Sequence, residues 1–194
     1  MDIRNLIGSE FLNNGKELKV TDVKVEDSKI ILTTEELTVA QKEIENPKYS
    51  LSQASLDKMK KVHPKLVEVM KAAIENSPFD FRITDGARTT EEQFALYQIG
   101  RSKPGRIVTN CDGKKAKSNH QIKSDGFGHA IDIFPCGVIE NGEYRKFTSD
   151  EGYDDKKLRL IANHILDVAK SKNINIEWGG NWKMNDTPHF ELKQ

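Results

Sequence analysis

The chain has few of the features that mark specialised classes of protein. It contains two cysteines among 194 residues, Cys111 and Cys136, and they form no CxxC motif, which argues against a disulfide framework and indicates free thiols. Its apolar runs are only a few residues long, so we expect no membrane insertion. The 30 basic and 30 acidic residues cancel, and this balance gives no overall field that would favour nucleic acid.

The N-terminus also lacks the apolar core of a secretory signal peptide, because charged residues interrupt the stretch MDIRNLIGSEFLNNGKEL. We therefore expect a protein that is cytoplasmic as synthesised. The length suits one ordinary domain with its own core and at most a small appendage, and we expect a monomer.

Two parts of the chain differ in their hydrophobic pattern. Residues 1–46 alternate polar and apolar residues on both sides of a break at 26–29, which predicts an N-terminal β-hairpin extension. In residues 47–194, helical patterns that begin near Ser55, Thr89 and Asp154 alternate irregularly with short period-two runs such as FDFRITDG, GHAIDIFP and PHFEL. This irregular order predicts an α+β domain, with a small antiparallel sheet flanked by helices.

Groups that can bind a metal are concentrated in two segments. SNHQIKSDGFGHAID, residues 118–132, contains two histidines and two aspartates, and NDTPHFEL places Asp186 three residues before His189. A catalytic zinc ion takes three ligands from such side chains and leaves one position for water, whose proton a nearby carboxylate can accept. The residue types indicate a hydrolytic metal site, but D-x-x-H spacing alone is common by chance.

The motifs in their order resemble a known family. TDGARTTEEQ, S-x-H at 118–120, G-x-A-x-D at 128–132, EWGGNW and DTPHFEL resemble the zinc peptidases of peptidoglycan. These are the VanY-type D-Ala-D-Ala carboxypeptidases and the phage endolysins that cut the L-alanyl-D-glutamate bond. The resemblance runs from about residue 52 to 192. It implies a hedgehog/DD-peptidase-like fold, a Zn²⁺ cofactor and the peptidoglycan stem peptide as substrate.

The resemblance also implies roles for particular residues. The metal ligands would be His120, Asp132 and His189, with Asp186 as the general base. Arg88 would stabilise the developing negative charge or bind a substrate carboxylate, for which its permanent charge and forked donors are suited. Ser118, which would contact either the ligands or the substrate, and Gln93, which would face the site, are candidate substrate contacts. Apart from the resemblance, we expect Trp178 and Trp182 in the core and at the rim of the cleft, where either ring could stack on a ligand, and Trp178 is the third candidate substrate contact.

The chain departs from the family pattern at one point. Seven residues, 121–127, separate His120 from Gly128, where the family has two. This insertion of five makes His129 a competitor for the ligand role. If GHAID is a strand, however, His129 and Asp132 point to opposite faces of it, which favours His120. Asp125, in SDGFG, is typical of a turn.

Three functions are compatible with these residues. The absence of a signal peptide favours an endolysin-like L-Ala-D-Glu peptidase, which would reach the cell wall after release at host lysis. The alternatives are a D-Ala-D-Ala carboxypeptidase and a non-catalytic zinc-containing binding module. Because a binding module has no need of a base, Asp186 favours an enzyme.

Overall fold

A computed structural model of the protein describes residues 10–13, 16–26, 29–36 and 49–193. The chain divides into two compact units, Met1–Asn46 and Pro47–Gln194. The first unit contains an antiparallel sheet in the order β1–β2–β3, with the bounds β1 Glu10–Asn13, β2 Lys16–Glu26 and β3 Lys29–Glu36. Glu26 pairs with Lys29, so β2 and β3 form the predicted hairpin, and β1 is an additional strand. Residues 27 and 28 of the predicted turn lie outside the described residues.

The second unit combines a five-stranded antiparallel sheet with helices. Its helices are α1 Gln53–Lys58, α2 Pro64–Glu75, α3 Thr90–Gln98, α4 Ser149–Gly152 and α5 Asp155–Ser171. Its strands are β4 Asp80–Asp85, β5 Ala130–Glu140, β6 Glu143–Lys146, β7 Ile176–Trp178 and β8 His189–Leu192, and a 3-10 turn spans Gly179–Asn181. The sheet order is β4–β5–β8–β7, with β6 paired to the end of β5. This arrangement confirms the predicted α+β class.

The first helical pattern is broken into two helices. His63 and Pro64 interrupt it as the sequence suggests, and Pro64 opens α2 at a position where a proline needs no amide donor. The predicted start at Ser55 is wrong by one turn, because Ser52 caps α1. Ser55 is instead buried inside α1, where its hydroxyl accepts a hydrogen bond of 3.1 Å from the amide of Ile83 on β4.

The core lies between the sheet and helices α2 and α5. Each helix buries one apolar face, as its three- and four-residue spacing predicts. On β5, Ile131 and Ile133 are fully buried in this core, and each such side chain contributes roughly 1.5–3 kcal/mol of transfer free energy. Asp132 lies between them and therefore projects from the opposite face of the strand. That opposite face carries the candidate site.

Cys111 and Cys136 are both free. Among the described residues, no helix combines the length and the apolarity that crossing a membrane requires.

Candidate metal centre

The register of β5 brings distant parts of the chain together. Asp132 on β5 pairs with His189 on β8, and on its other side it pairs with Asp85 at the end of β4. Residues directly opposite each other in an antiparallel sheet share a face, so these side chains project the same way. The sheet therefore places two sequence motifs, GHAID and DTPHF, beside each other.

His120, Asp132 and His189 form the candidate metal centre. Oδ1 of Asp132 lies 3.0 Å from Nδ1 of His189 and 3.3 Å from Nε2 of His120. The two ring nitrogens are 3.2 Å apart, and one ligand atom of each residue lies within 4.8 Å of the others. Both histidines are buried, whereas the aspartate is partly accessible. Two imidazoles and one carboxylate at this spacing fit the donor set of a catalytic zinc site with an open position.

The outer nitrogen of each histidine is held by the protein. Nδ1 of His120 donates to the carbonyl oxygen of Gly86 at 2.7 Å, and Nε2 of His189 donates to Glu191 at 2.9 Å. Such partners orient the ring and leave the other nitrogen to face a metal. Glu191 is not among the site residues predicted from the sequence. Its position two residues after His189 in a strand, and hence on the same face, is the signal that could have identified it.

The charges of the three candidate ligands affect one another strongly. Burial would raise the pKa of Asp132, but its hydrogen bonds with His120 and His189 outweigh burial and hold that pKa well below the usual range. Burial would likewise lower the pKa of His189, but its hydrogen bonds to Asp132 and Glu191 outweigh burial and raise the pKa to about 9. A metal cation would take the place of the proton on Nδ1 of His189.

The five inserted residues do not displace His120. The amide of Lys123 donates to the carbonyl of Phe127 at 2.9 Å, so the insertion closes on itself as a turn. Gly128 then lies directly against His120, since a Cβ atom on Gly128 would be only 2.6 Å from the carbonyl oxygen of His120. That carbonyl also accepts from the amide of Arg88 at 2.8 Å. The closed turn thus keeps Gly128 next to His120 despite the seven residues between them.

His129 does not join the centre. It immediately precedes β5, and its Nε2 lies 2.7 Å from Oδ2 of Asp125. Its ring packs against that of His63, with centroids 5.1 Å apart. Asp125 is also a turn residue, because it accepts from the amide of Phe127 at 3.1 Å. The separation of His129 from Asp132 follows the strand argument made from the sequence.

Asp186 stands at the solvent-exposed rim of the centre. Its amide donates to Gly179 at 3.0 Å, and its carbonyl accepts from the amide of His189 at 3.2 Å, so one tight turn positions both residues. Gly179 is required there because a Cβ atom would lie 2.5 Å from the carbonyl oxygen of Asp186. Partial burial and the negative charge of Asp132 raise the pKa of Asp186.

Arg88 reaches the centre from the other side. Its guanidinium makes two contacts of 2.8 Å with Asp85 and lies 3.5 Å from Oδ2 of Asp132. Nη1 donates to Gln93 at 2.9 Å. Gln93 is fully buried, and its amide nitrogen donates to Thr109 and to the carbonyl of Cys111. Both the oxygen and the nitrogen of the Gln93 side chain are thus already in hydrogen bonds within the protein. Gln93 is therefore placed to hold Arg88 and not to contact a substrate.

The remaining candidate substrate contacts, Ser118 and Trp178, differ in how deeply they are buried. The hydroxyl of Ser118 accepts from the amide of His120 at 3.3 Å, which ties it to the ligand loop. Trp178 is 2% exposed and donates from Nε1 to the carbonyl of Thr187 at 2.8 Å, so its position corrects the expectation of a substrate contact. The partly exposed Trp182 is the tryptophan beside the centre, with its ring 5.1 Å from that of His189.

Comparison with known proteins agrees with this geometry. Residues 48–194 match the family model described as phage L-alanyl-D-glutamate peptidase. The chain belongs to this family. The first unit of the fold ends just before the match begins.

Two relatives support the assignment. The peptidoglycan L-alanyl-D-glutamate endopeptidase CwlK of Bacillus subtilis is 32% identical over 126 residues, which is 64% of this chain and 68% of CwlK. The crystal structure of the Serratia marcescens L-Ala D-Glu endopeptidase ChiX aligns with a TM-score of 0.54 and 25% identity, over 76% of this chain and 92% of ChiX. The family match confirms the predicted resemblance and the prediction of a peptidase, and the alignment with ChiX agrees with the predicted fold.

Proposed function

We propose that the protein is a zinc-dependent peptidase that hydrolyses the L-Ala-D-Glu bond in the stem peptide of peptidoglycan. The observation that carries the proposal is the convergence of His120, Asp132 and His189, with Asp186 in the same tight turn as His189, in a chain of this family. CwlK and ChiX are both named as L-Ala-D-Glu endopeptidases, which supports the choice of bond. The description of the family as a phage peptidase supports action on the cell wall after release at host lysis.

The residues of the centre suit zinc in their chemistry and in their surroundings. Two neutral imidazoles and a carboxylate would hold the ion, and the carbonyl of Gly86 and the carboxylate of Glu191 would orient the two rings. When bound, zinc supplies a Lewis acid for the scissile carbonyl and lowers the pKa of an attacking water.

We assign the proton transfers to Asp186. Its carboxylate would accept a proton from the attacking water and pass it to the amine that leaves when the peptide bond breaks. The raised pKa of Asp186 lies closer to the pH of the reaction than that of an ordinary aspartate. A general base that must also return its proton works best when its pKa is near that pH. Its exposure at the rim of the centre allows a substrate to approach.

Arg88 would stabilise negative charge on the substrate. Asp85 and Gln93 already hold its guanidinium in one position. The Arg88 side chain therefore loses little conformational freedom when substrate binds. Arg88 also borders a cavity of about 630 Å³. Lys58, Lys61 and Lys103 line this cavity without a carboxylate partner among the described residues. Three carboxylates, of Asp57, Asp85 and Glu92, also line the cavity, but its five basic side chains outnumber them. This excess of positive charge suits a substrate that contains D-glutamate, which presents a free carboxylate.

The test is digestion of purified peptidoglycan with the zinc-loaded protein, followed by mass spectrometry of the released fragments. We expect new N-terminal D-glutamate, no product after chelation, and restoration when zinc is returned. Asp186→Asn should retain zinc while kcat falls by about 10²–10⁴-fold. Released D-alanine without new D-glutamate termini would indicate a carboxypeptidase instead, and the absence of any new amine would exclude a peptidase.

A further inference from the structure

A second group of metal-binding side chains lies outside the candidate centre. His63, Asp125 and His129, which we call the loop cluster, also offer one ligand atom each within 4.8 Å of one another. None of the three has a part in the proposed reaction. We infer that the loop cluster is a separate binding site for a divalent transition-metal ion such as Zn²⁺, which fastens the inserted turn to the body of the domain.

The geometry of the loop cluster closely repeats that of the candidate centre. The rings of His63 and His129 are 5.1 Å apart with planes at 71°, compared with 5.0 Å and 66° for His120 and His189. The carboxylate of Asp125 lies 2.7 Å from a ring nitrogen of His129. Two imidazoles and one carboxylate select zinc and similar ions over calcium or magnesium, which prefer oxygen ligands alone.

The two imidazoles are attached to well-fixed backbone. His63 precedes α2, and its amide donates to the carbonyl of Gly128 at 2.9 Å. His129 donates from its amide to Asn119 at 2.7 Å and accepts at its carbonyl from Leu192 at 2.9 Å. Only Asp125 sits on the inserted turn. A metal ion would therefore join the turn to two positions that the backbone already holds in place.

His129 also has an unused nitrogen. Its side chain is 13% exposed, yet Nδ1 is buried and has no hydrogen-bond partner. A buried polar atom without a partner carries a desolvation cost, which indicates that the protein does not satisfy this ring by itself.

Metal binding has one local consequence at His63. Nδ1 of His63 accepts from the amide of Lys65 at 3.2 Å. Because a neutral imidazole has one proton and one lone pair, ligation through either nitrogen removes this hydrogen bond. The bond is exposed, so water can take over the Lys65 amide. The Lys65 amide therefore provides a backbone reporter of metal binding.

The direct test is nuclear magnetic resonance of the full chain, freed of metal by a chelator and titrated with Zn²⁺. We expect the imidazole nitrogens of His63 and His129, together with the Lys65 amide, to shift as a second equivalent of zinc binds. His164, whose ring bonds to the carbonyl of Ala73 at 2.9 Å, should not move. Unchanged resonances of His63 and His129 at every zinc ratio would overturn the inference.

A pair of variants tests the assignment by stoichiometry. Asp125→Asn should weaken the second equivalent by more than about tenfold and leave the first in place. Asp150→Asn, at another exposed aspartate, should leave both equivalents in place. Retention of both equivalents by Asp125→Asn, or loss of the first as well, would contradict a separate loop site. These results do not depend on peptidase activity, so the proposed function can fail without affecting them.

Discussion

Nε2 of His189 lies 2.9 Å from the carboxylate of Glu191, while Nδ1 on the same ring lies 3.0 Å from Asp132. The imidazole is thus held between two carboxylates, one in the candidate centre and one behind it. Glu191 fixes which nitrogen faces the metal and makes the ring a stronger donor. It contacts the metal only through His189, so it is a positioning residue.

Variants of Glu191 should weaken metal binding in a graded way. Glu191→Gln keeps an acceptor for Nε2 but loses the charge, so we expect the zinc affinity to fall by about tenfold. Glu191→Ala loses both, and we expect a fall of about a hundredfold. Competition with a chromophoric chelator measures the two affinities. Glu143→Gln, at an exposed position on β6, is the matched control. Equal zinc affinities for the unchanged protein and the three variants would show that Glu191 has no role in metal binding.

Arg88→Lys should show that the shape of the guanidinium matters as well as its charge. Lysine cannot make the forked contacts with Asp85 and also reach Gln93, so the charge would no longer be fixed beside Asp132. We expect kcat/KM on a soluble peptidoglycan fragment to fall by about 10²–10³-fold while zinc content stays constant. Arg106→Lys, at an exposed loop position, should be unchanged. Full activity of Arg88→Lys would mean that a simple positive charge is enough.

The stability of the metal-free protein should fall as the pH rises. His189 has a pKa of about 9 when folded, against 6.5 for an unperturbed histidine, so the folded state binds the proton more tightly. Its contribution, at most about 3 kcal/mol, is fully present below about pH 6.5 and is lost as the pH rises through about 9. Denaturant unfolding in the presence of a chelator measures the change.

Zinc should reverse this dependence. The metal binds only the deprotonated ring, so zinc adds more stability as the pH rises over the same interval. Unfolding curves of the zinc-loaded and chelated proteins at several pH values between 6.5 and 9 make the comparison. A metal-free protein with constant stability over this interval would show that His189 does not carry the raised pKa.

Much of the site was predictable because it depends on motif order. His120, Asp132 and His189 occur in recognisable patterns, and the alternation of side chains along a strand predicts that His129 points away from Asp132. The capping of α3 by Thr89 was also predictable, since Glu92 three residues later completes a capping box.

Other features depend on packing between distant segments. No local pattern shows that Gln93 is buried against the loop around Thr109, because that contact forms only when the loop folds back over α3. The loop cluster is a similar case. His63 lies more than fifty residues before Asp125, and the two approach because Gly128 pairs with the backbone on both sides of Val62. The spacing of residues along the chain does not predict this backbone pairing.

Trp178→Phe tests whether Trp178 stabilises the core and makes no contact with substrate. The substitution removes the N–H that bonds to the carbonyl of Thr187, between Asp186 and His189, and leaves a smaller ring in the core. We expect the free energy of unfolding to fall by about 1–3 kcal/mol, with KM for a soluble fragment nearly unchanged, because the buried ring does not touch substrate. Trp182→Leu, beside His189, should instead change KM more than stability. A raised KM with unaltered stability in Trp178→Phe would restore Trp178 as a substrate contact.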